Sequence, residues 1–139
     1  MTESYKSIDP NIWGPHGWSF IHYTALGYPE NPSDDEKDNY KVFFHSLQNT
    51  LPCVKCALNF KENIIELPID KSLNSRKDLF KWTVDIHNMV NNELGKKNYT
   101  YEMAYKKYMN LDKGFNTKDI CMISGIILLL FLILYLIKK

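Results

Sequence analysis

From Ile120 to Ile137 the chain reads ICMISGIILLLFLILYLI, without a charged residue, and it ends on Lys138-Lys139. As a helix, this run of 18 would be about 27 Å long, near the thickness of a hydrocarbon core. A helix apolar on every face needs either lipid or a thick shell of protein around it. The roughly 110 residues that remain are few for such a shell. The run at 120–137 is therefore read as a single transmembrane helix. Its place at the C-terminus separates it from signal and transit peptides and predicts a tail anchor, with the preceding domain in the cytosol. Lysines flank both ends (Lys113 and Lys118, Lys138 and Lys139), so charge bias does not set the orientation.

What precedes the run is one domain, 1–110, and a tether, 111–119, that holds Gly114. The net charge of +1 arises from 17 basic and 16 acidic residues, and with no basic stripe it gives no reason to expect a nucleic-acid partner. Aromatics make up 14% of the chain, and large flat side chains suit either a small helical core or the wall of a planar cofactor site.

Hydrophobic periodicity points to helices throughout. Asp9-Pro10 is an N-cap followed by proline in the first turn. Gly14-Pro15 allows a break there, with the stronger helix from His16 to Gly27. The prolines of Tyr28-Pro29-Glu30-Asn31-Pro32 mark a loop. Ser33-Asp34-Asp35-Glu36 reads as a capping box that opens an amphipathic helix carrying Tyr40, Phe43, Phe44, Leu47 and Leu51. Pro52 restarts the chain into a third helix, which Pro68 stops. After a connection over Leu67 to Asn74, Ser75-Arg76-Lys77-Asp78 starts the longest helix, with Leu79, Trp82, Ile86, Val90 and Leu94 as its inward stripe and Gly95 as its stop. A short helix over Tyr101 to Met109 follows. No stretch alternates as a strand would. The expected fold class is all-α: a four-helix bundle with a short fifth helix, then the transmembrane helix.

Cys53-Val54-Lys55-Cys56 is the chemically pointed stretch. It places one thiol at the start of a helix, where free backbone N–H groups and the helix dipole favour a thiolate, with Lys55 adding positive charge. Such a pair is either a redox centre or half of a metal site. Only one further cysteine exists, Cys121, so the second pair of a four-cysteine zinc site is missing, and the four histidines include no H-x3–5-H pair. No metal site is expected. A thioredoxin-like domain would set its C-x-x-C after a strand, and none is readable. A flavin-free thiol–disulfide oxidoreductase or a membrane-anchored adaptor are the competing readings. His87 and Asn91 lie one turn apart on the fourth helix, and Trp18 and His22 one turn apart on the first. Taken alone, these pairs are better explained as ordinary core and edge residues of amphipathic helices.

Together, Trp13-Gly14-Pro15-His16-Gly17-Trp18-x3-His22, the Tyr28-Pro29 loop, Pro52-Cys53-x2-Cys56 and Trp82-x4-His87-Asn88-x-Val90-Asn91-x2-Leu94-Gly95-Lys96 resemble the Erv/ALR family of FAD-linked sulfhydryl oxidases. The resemblance covers about Ile12 to Tyr108. It implies FAD cradled at the mouth of the bundle, and a homodimer. Position by position, it implies that Trp18 and His22 contact the flavin. It also implies that His87, Asn88, Asn91 and Lys96 hold adenine, ribose and phosphates, with Trp82 nearby and a purine between tryptophan and imidazole faces. Lys107 and Tyr108 match a basic–aromatic pair that closes the site, and Trp13 and Gly14 form the family's W-G entry.

The implied reaction oxidises protein dithiols to disulfides through Cys53 and Cys56, with electrons passing by way of FAD to O2 to give hydrogen peroxide. Cys53, nearer solvent, is the expected interchange cysteine, and Cys56, one turn deeper, the flavin-proximal one. The shuttle pair and structural disulfide of larger family members are missing, and Cys121 in the anchor is read as a small apolar residue. Electrons would thus come directly from a dithiol client, a thioredoxin-like or viral redox protein. A minimal core with an anchor looks most like members from large cytoplasmic DNA viruses, which implies a host or virion membrane.

Overall fold

The computed structural model describes residues 7–111 and 117–138, and the side chains at 110, 111, 117–121, 123, 131 and 132 lie outside that description. Among the described residues six α-helices follow one another: α1 Pro10–Leu26, α2 Asp34–Thr50, α3 Val54–Glu66, α4 Arg76–Glu93, α5 Tyr101–Leu111 and α6 Thr117–Ile137, with a short 3-10 helix Ile69–Ser72 before α4. No strand occurs among the described residues, as the all-α reading expects. The chain divides into two compact units, Met1–Tyr108 and Met109–Lys139.

Local chemistry fixes the helix ends. The Asp9 side chain accepts from Asn11 N–H. Ser33 and Glu36 close a reciprocal capping box, and Ser75 accepts from Asp78 N–H. At the end of α4, Gly95 takes a positive φ of 64°, a conformation open to glycine without a Cβ penalty. The break that Gly14-Pro15 would allow does not occur: α1 runs through Pro15. Proline lies early enough in the helix that it removes one intrahelical bond without dividing a long segment. The 3-10 turn within the 67–74 connection is a further difference. It follows Pro68 and buries Ile69.

In the first unit α1 packs on α4, α2 on α3, and α3 on α4. The core is largely aromatic, with Phe44 edge-on to Trp82 and Tyr28 fully buried. Tyr28, at the head of the proline loop, donates to the Leu73 carbonyl, while Arg76 Nε donates to the Tyr28 carbonyl. Asn59 and Asn63 of α3 both donate to the Glu93 carboxylate of α4, at 2.6 and 3.0 Å.

The second unit is chiefly α6. Residues 117–119, expected in the tether, are already helical, and 112–116 lie outside the described residues, as does the Cys121 side chain. Among the described residues no helix is long and apolar enough to cross a membrane. A span needs about 20 consecutive apolar residues, and five side chains of the 120–137 run fall outside the description. The helical part of that expectation holds, but its membrane-spanning part is not supported by the structure.

Candidate active site

Cys53 and Cys56 are joined in a disulfide at the N-terminus of α3. Cys53 is the N-cap, and its Sγ accepts from the Cys56 backbone N–H at 3.1 Å. Just upstream, the Ile8 N–H donates to the Pro52 carbonyl at 2.7 Å, and Trp13 Nε1 donates to the Ile8 carbonyl. The order of exposure is the reverse of that expected: Cys53 is 5% exposed, whereas Cys56 is half-buried. The cause is local. Cys53 sits where the N-terminal segment is bound to the residue before it, while Cys56 is the third residue of the helix.

A second cluster forms where α1, α4 and α5 meet. Trp18 and His87 stack face to face, with centroids 4.0 Å apart and planes 3° from parallel. His22 is 1% exposed. Its Nδ1 is 2.9 Å from Thr83 Oγ1 and its Nε2 is 3.0 Å from His87 Nδ1. The Tyr108 ring lies 4.5 Å from that of His22. Lys107 Nζ donates to Tyr99 Oη and sits over the Tyr99 and Tyr108 rings. Burial, then His87 and then Lys107, push the His22 pKa down to about 3. Burial, Lys107 and Lys96 push that of His87 down to about 4. Lys107 is held above its ordinary value: burial opposes its charge, but the hydrogen bond to Tyr99 and the neighbouring phenols outweigh that. At neutral pH the cluster therefore offers flat rings, two uncharged imidazoles and ammonium charge.

The structure thus gathers Trp18, His22, His87, Lys107 and Tyr108. Asn88 and Asn91 are engaged elsewhere. Asn88 exchanges two hydrogen bonds with the Tyr99 backbone, and Asn91 Nδ2 donates to the Lys97 carbonyl. Both carboxamides hold the α4–α5 connection. Trp82 is a core residue, 3% exposed, whose Nε1 donates to the Leu67 carbonyl. Trp13 lies in the first turn of α1 and holds the N-terminal segment, and a Cβ on Gly17 would come within 2.9 Å of its ring, whereas one on Gly14 would meet nothing within 4 Å. Lys96 is exposed beyond the end of α4. Thr83 and Tyr99 were not among the expected site residues. Thr83 had a signal, a hydroxyl on the inward stripe of α4 four residues before His87, but nothing local marks Tyr99. A cleft of about 450 Å³ lined by Leu26, Arg76, Phe80, Lys81, Tyr101 and Tyr105 includes none of the cluster's stacked rings.

The Erv1 / Alr family model matches residues 15–110, a stretch that holds both the cysteine pair and the ring cluster. The chain belongs to the Erv1/Alr family. It is 47% identical over 98 residues to the "Probable FAD-linked sulfhydryl oxidase R368" of Acanthamoeba polyphaga mimivirus, covering 70% of this chain and 68% of that one. It is 40% identical over 106 residues to the "Putative FAD-linked sulfhydryl oxidase 347L" of Invertebrate iridescent virus 6, covering 73% and 96%. Among solved structures, the FAD binding domain of Erv1 from Saccharomyces cerevisiae superposes with a TM-score of 0.69 at 29% identity, over 74% of this chain and 96% of that one.

Whether this Erv1/Alr chain's residues suit FAD is tested by their chemistry. Flat apolar ring faces suit a flavin or purine, and Lys96 and Lys107 supply the charge that phosphates require. The donor set fits. A ring sandwiched between Trp18 and His87 would need about 7 Å between them. At 4.0 Å they form a double-thickness wall that a flat group can meet only on an outer face or edge.

Proposed function

We propose that this chain is an FAD-dependent thiol oxidase that oxidises protein dithiols to disulfides, with O2 as the final electron acceptor and hydrogen peroxide as product. The observation that carries the reading is the Cys53–Cys56 disulfide at a helix N-terminus in an Erv1/Alr domain. A client thiolate attacks one sulfur of that pair, forming a mixed disulfide and releasing the other as a thiolate. The client's second thiolate then displaces the attached cysteine, leaving a client disulfide and Cys53 and Cys56 reduced. The positive end of the α3 dipole favours the released thiolate. Trp18, His22, His87, Lys96, Lys107 and Tyr108 would hold FAD, with Asn88 and Asn91 shaping the connection beside it. Bound FAD supplies a two-electron acceptor that is reoxidised by O2.

Attack at the half-buried Cys56 needs less rearrangement than attack at Cys53, so Cys56 takes the client. Homodimer formation is supported by exposed Ile12 and Phe20 on α1 and Val42 on α2. Membrane attachment through α6 rests on the charge-free run of the sequence alone, and a role in a viral cytosolic disulfide pathway rests on viral relatives. The deciding experiment is to purify the full chain and record its flavin absorbance and its oxygen consumption with dithiothreitol. A yellow protein that consumes oxygen, with turnover lost in both Cys53→Ser and Cys56→Ser, is expected. A colourless protein that cannot be reconstituted with FAD, or activity in either variant, overturns the proposal.

A further inference from the structure

Three side chains form a hydrogen-bonded row through the interior: Thr83 Oγ1, His22 and His87. The direction of each bond follows from one proton count. Thr83 has a single hydroxyl hydrogen, and its Oγ1 lies 2.7 Å from the Phe80 carbonyl oxygen. If the hydroxyl turned to His22 instead, two acceptor oxygens would face each other at that distance in a buried site, an arrangement that costs free energy. The hydroxyl therefore donates to Phe80, and Oγ1 is left to accept. His22 must carry its proton on Nδ1. Burial keeps His22 uncharged, so it has no second proton, and its Nε2 is an acceptor. His87 must then donate from Nδ1. Being uncharged as well, it has a bare Nε2. Among the described residues no hydrogen bond is made by that nitrogen, and no buried side-chain nitrogen or oxygen lacks a partner. His87 Nε2 is therefore reached by solvent.

We propose that Thr83 is a positioning residue that locks His22 and His87 into one tautomeric row, so that the site presents a bare imidazole nitrogen which accepts a hydrogen bond from an N–H or O–H group of the bound ligand. A phosphate or carbonyl oxygen finds no donor there, which directs such groups to Lys96 and Lys107. The ligand end of the proposal rests on the FAD reading. The tautomer end does not.

The test is two-bond proton–nitrogen correlation spectroscopy on the full chain labelled with 15N-histidine, without and with FAD, alongside titration of FAD affinity. In the native protein both histidines should show a protonated Nδ1 and an unprotonated Nε2. In Thr83→Val, nearly the same shape without the acceptor, the row should reverse so that His87 carries Nε2–H, and FAD affinity should fall about tenfold, the scale of one exchanged hydrogen bond. Thr83→Ser should restore both. A protonated His87 Nε2 in the native protein, or an unchanged tautomer in Thr83→Val, overturns the proposal. If Thr83→Val does not fold, the native spectrum alone decides. Native tautomers as described in a chain that does not bind FAD would refute the FAD reading and leave the positioning role standing.

Discussion

The imidazole of His87 lies flat on the indole of Trp18, 4.0 Å away and within 3° of parallel. Each ring thus blocks one face of the other, and α1 is fastened to α4 at the point where the residues proposed to hold FAD converge. Trp18→Ala removes one layer of that wall and leaves His87 without its support. We expect FAD affinity to fall by about two- to twelvefold, the equivalent of the 0.5–1.5 kcal/mol typical of an aromatic pair, with a lower melting temperature. Flavin fluorescence titration and thermal unfolding, compared with Trp18→Phe, check this. An unchanged affinity in Trp18→Ala would remove Trp18 from the site.

Stability should fall in acid through a defined window. His22 and His87 have folded-state pKa values of about 3 and about 4, below the unfolded value of about 6.5. Between those values the unfolded chain binds more protons than the folded one, so stability is complete above about pH 6.5. It declines as pH falls toward 4 and then 3. Each histidine contributes a slope of up to about 1.4 kcal/mol per pH unit. Urea midpoints at pH 7, 6 and 5 read this directly. The slope should be shallower in His22→Gln, and an equal slope would show that other groups carry the effect.

Glu93 receives hydrogen bonds from both Asn59 and Asn63, and Asn63 is buried. Glu93→Ala leaves the Asn63 amide without its acceptor and should cost about 1–2 kcal/mol. A double-mutant cycle with Asn63→Ala should recover a coupling of about 1 kcal/mol. Strict additivity would count against the clamp.

Gly17→Ala would drive a methyl group to within 2.9 Å of the Trp13 ring, displacing the side chain that holds Ile8 and, through it, Pro52. The expected result is faster reduction of the Cys53–Cys56 disulfide by dithiothreitol, because Cys53 loses its cover. Gly14→Ala, where a Cβ meets nothing within 4 Å, should leave the rate unchanged and serves as the control.

Much of this was legible in the sequence because it is local. Ser33 with Glu36, Ser75 with Asp78, and Gly95 name their own helix ends within a few residues, and Trp18 with His22 stands one turn apart, a pairing that only the neighbouring family motifs separate from core and edge residues. What the sequence did not show depends on where distant segments return. Pro15 reads as a breaker, yet its helix continues. Asn88 and Asn91 read as ligand-holding amides, yet they are engaged with the backbone at Tyr99 and Lys97. Ile8, forty-five residues upstream of Cys53, returns to the Pro52 carbonyl beside it, which no motif around the cysteines reveals.

The sulfur that caps α3 is also one that the proposed chemistry oxidises and reduces. As half of a disulfide, Cys53 Sγ is a weak acceptor for the Cys56 amide. As a thiolate it carries full charge at the same helix end and holds that amide more strongly. Each turnover therefore tightens and slackens the first turn of a helix. The amide proton of Cys56 should exchange with solvent more slowly in the reduced enzyme than in the oxidised one, so a single backbone position records the redox state of the protein.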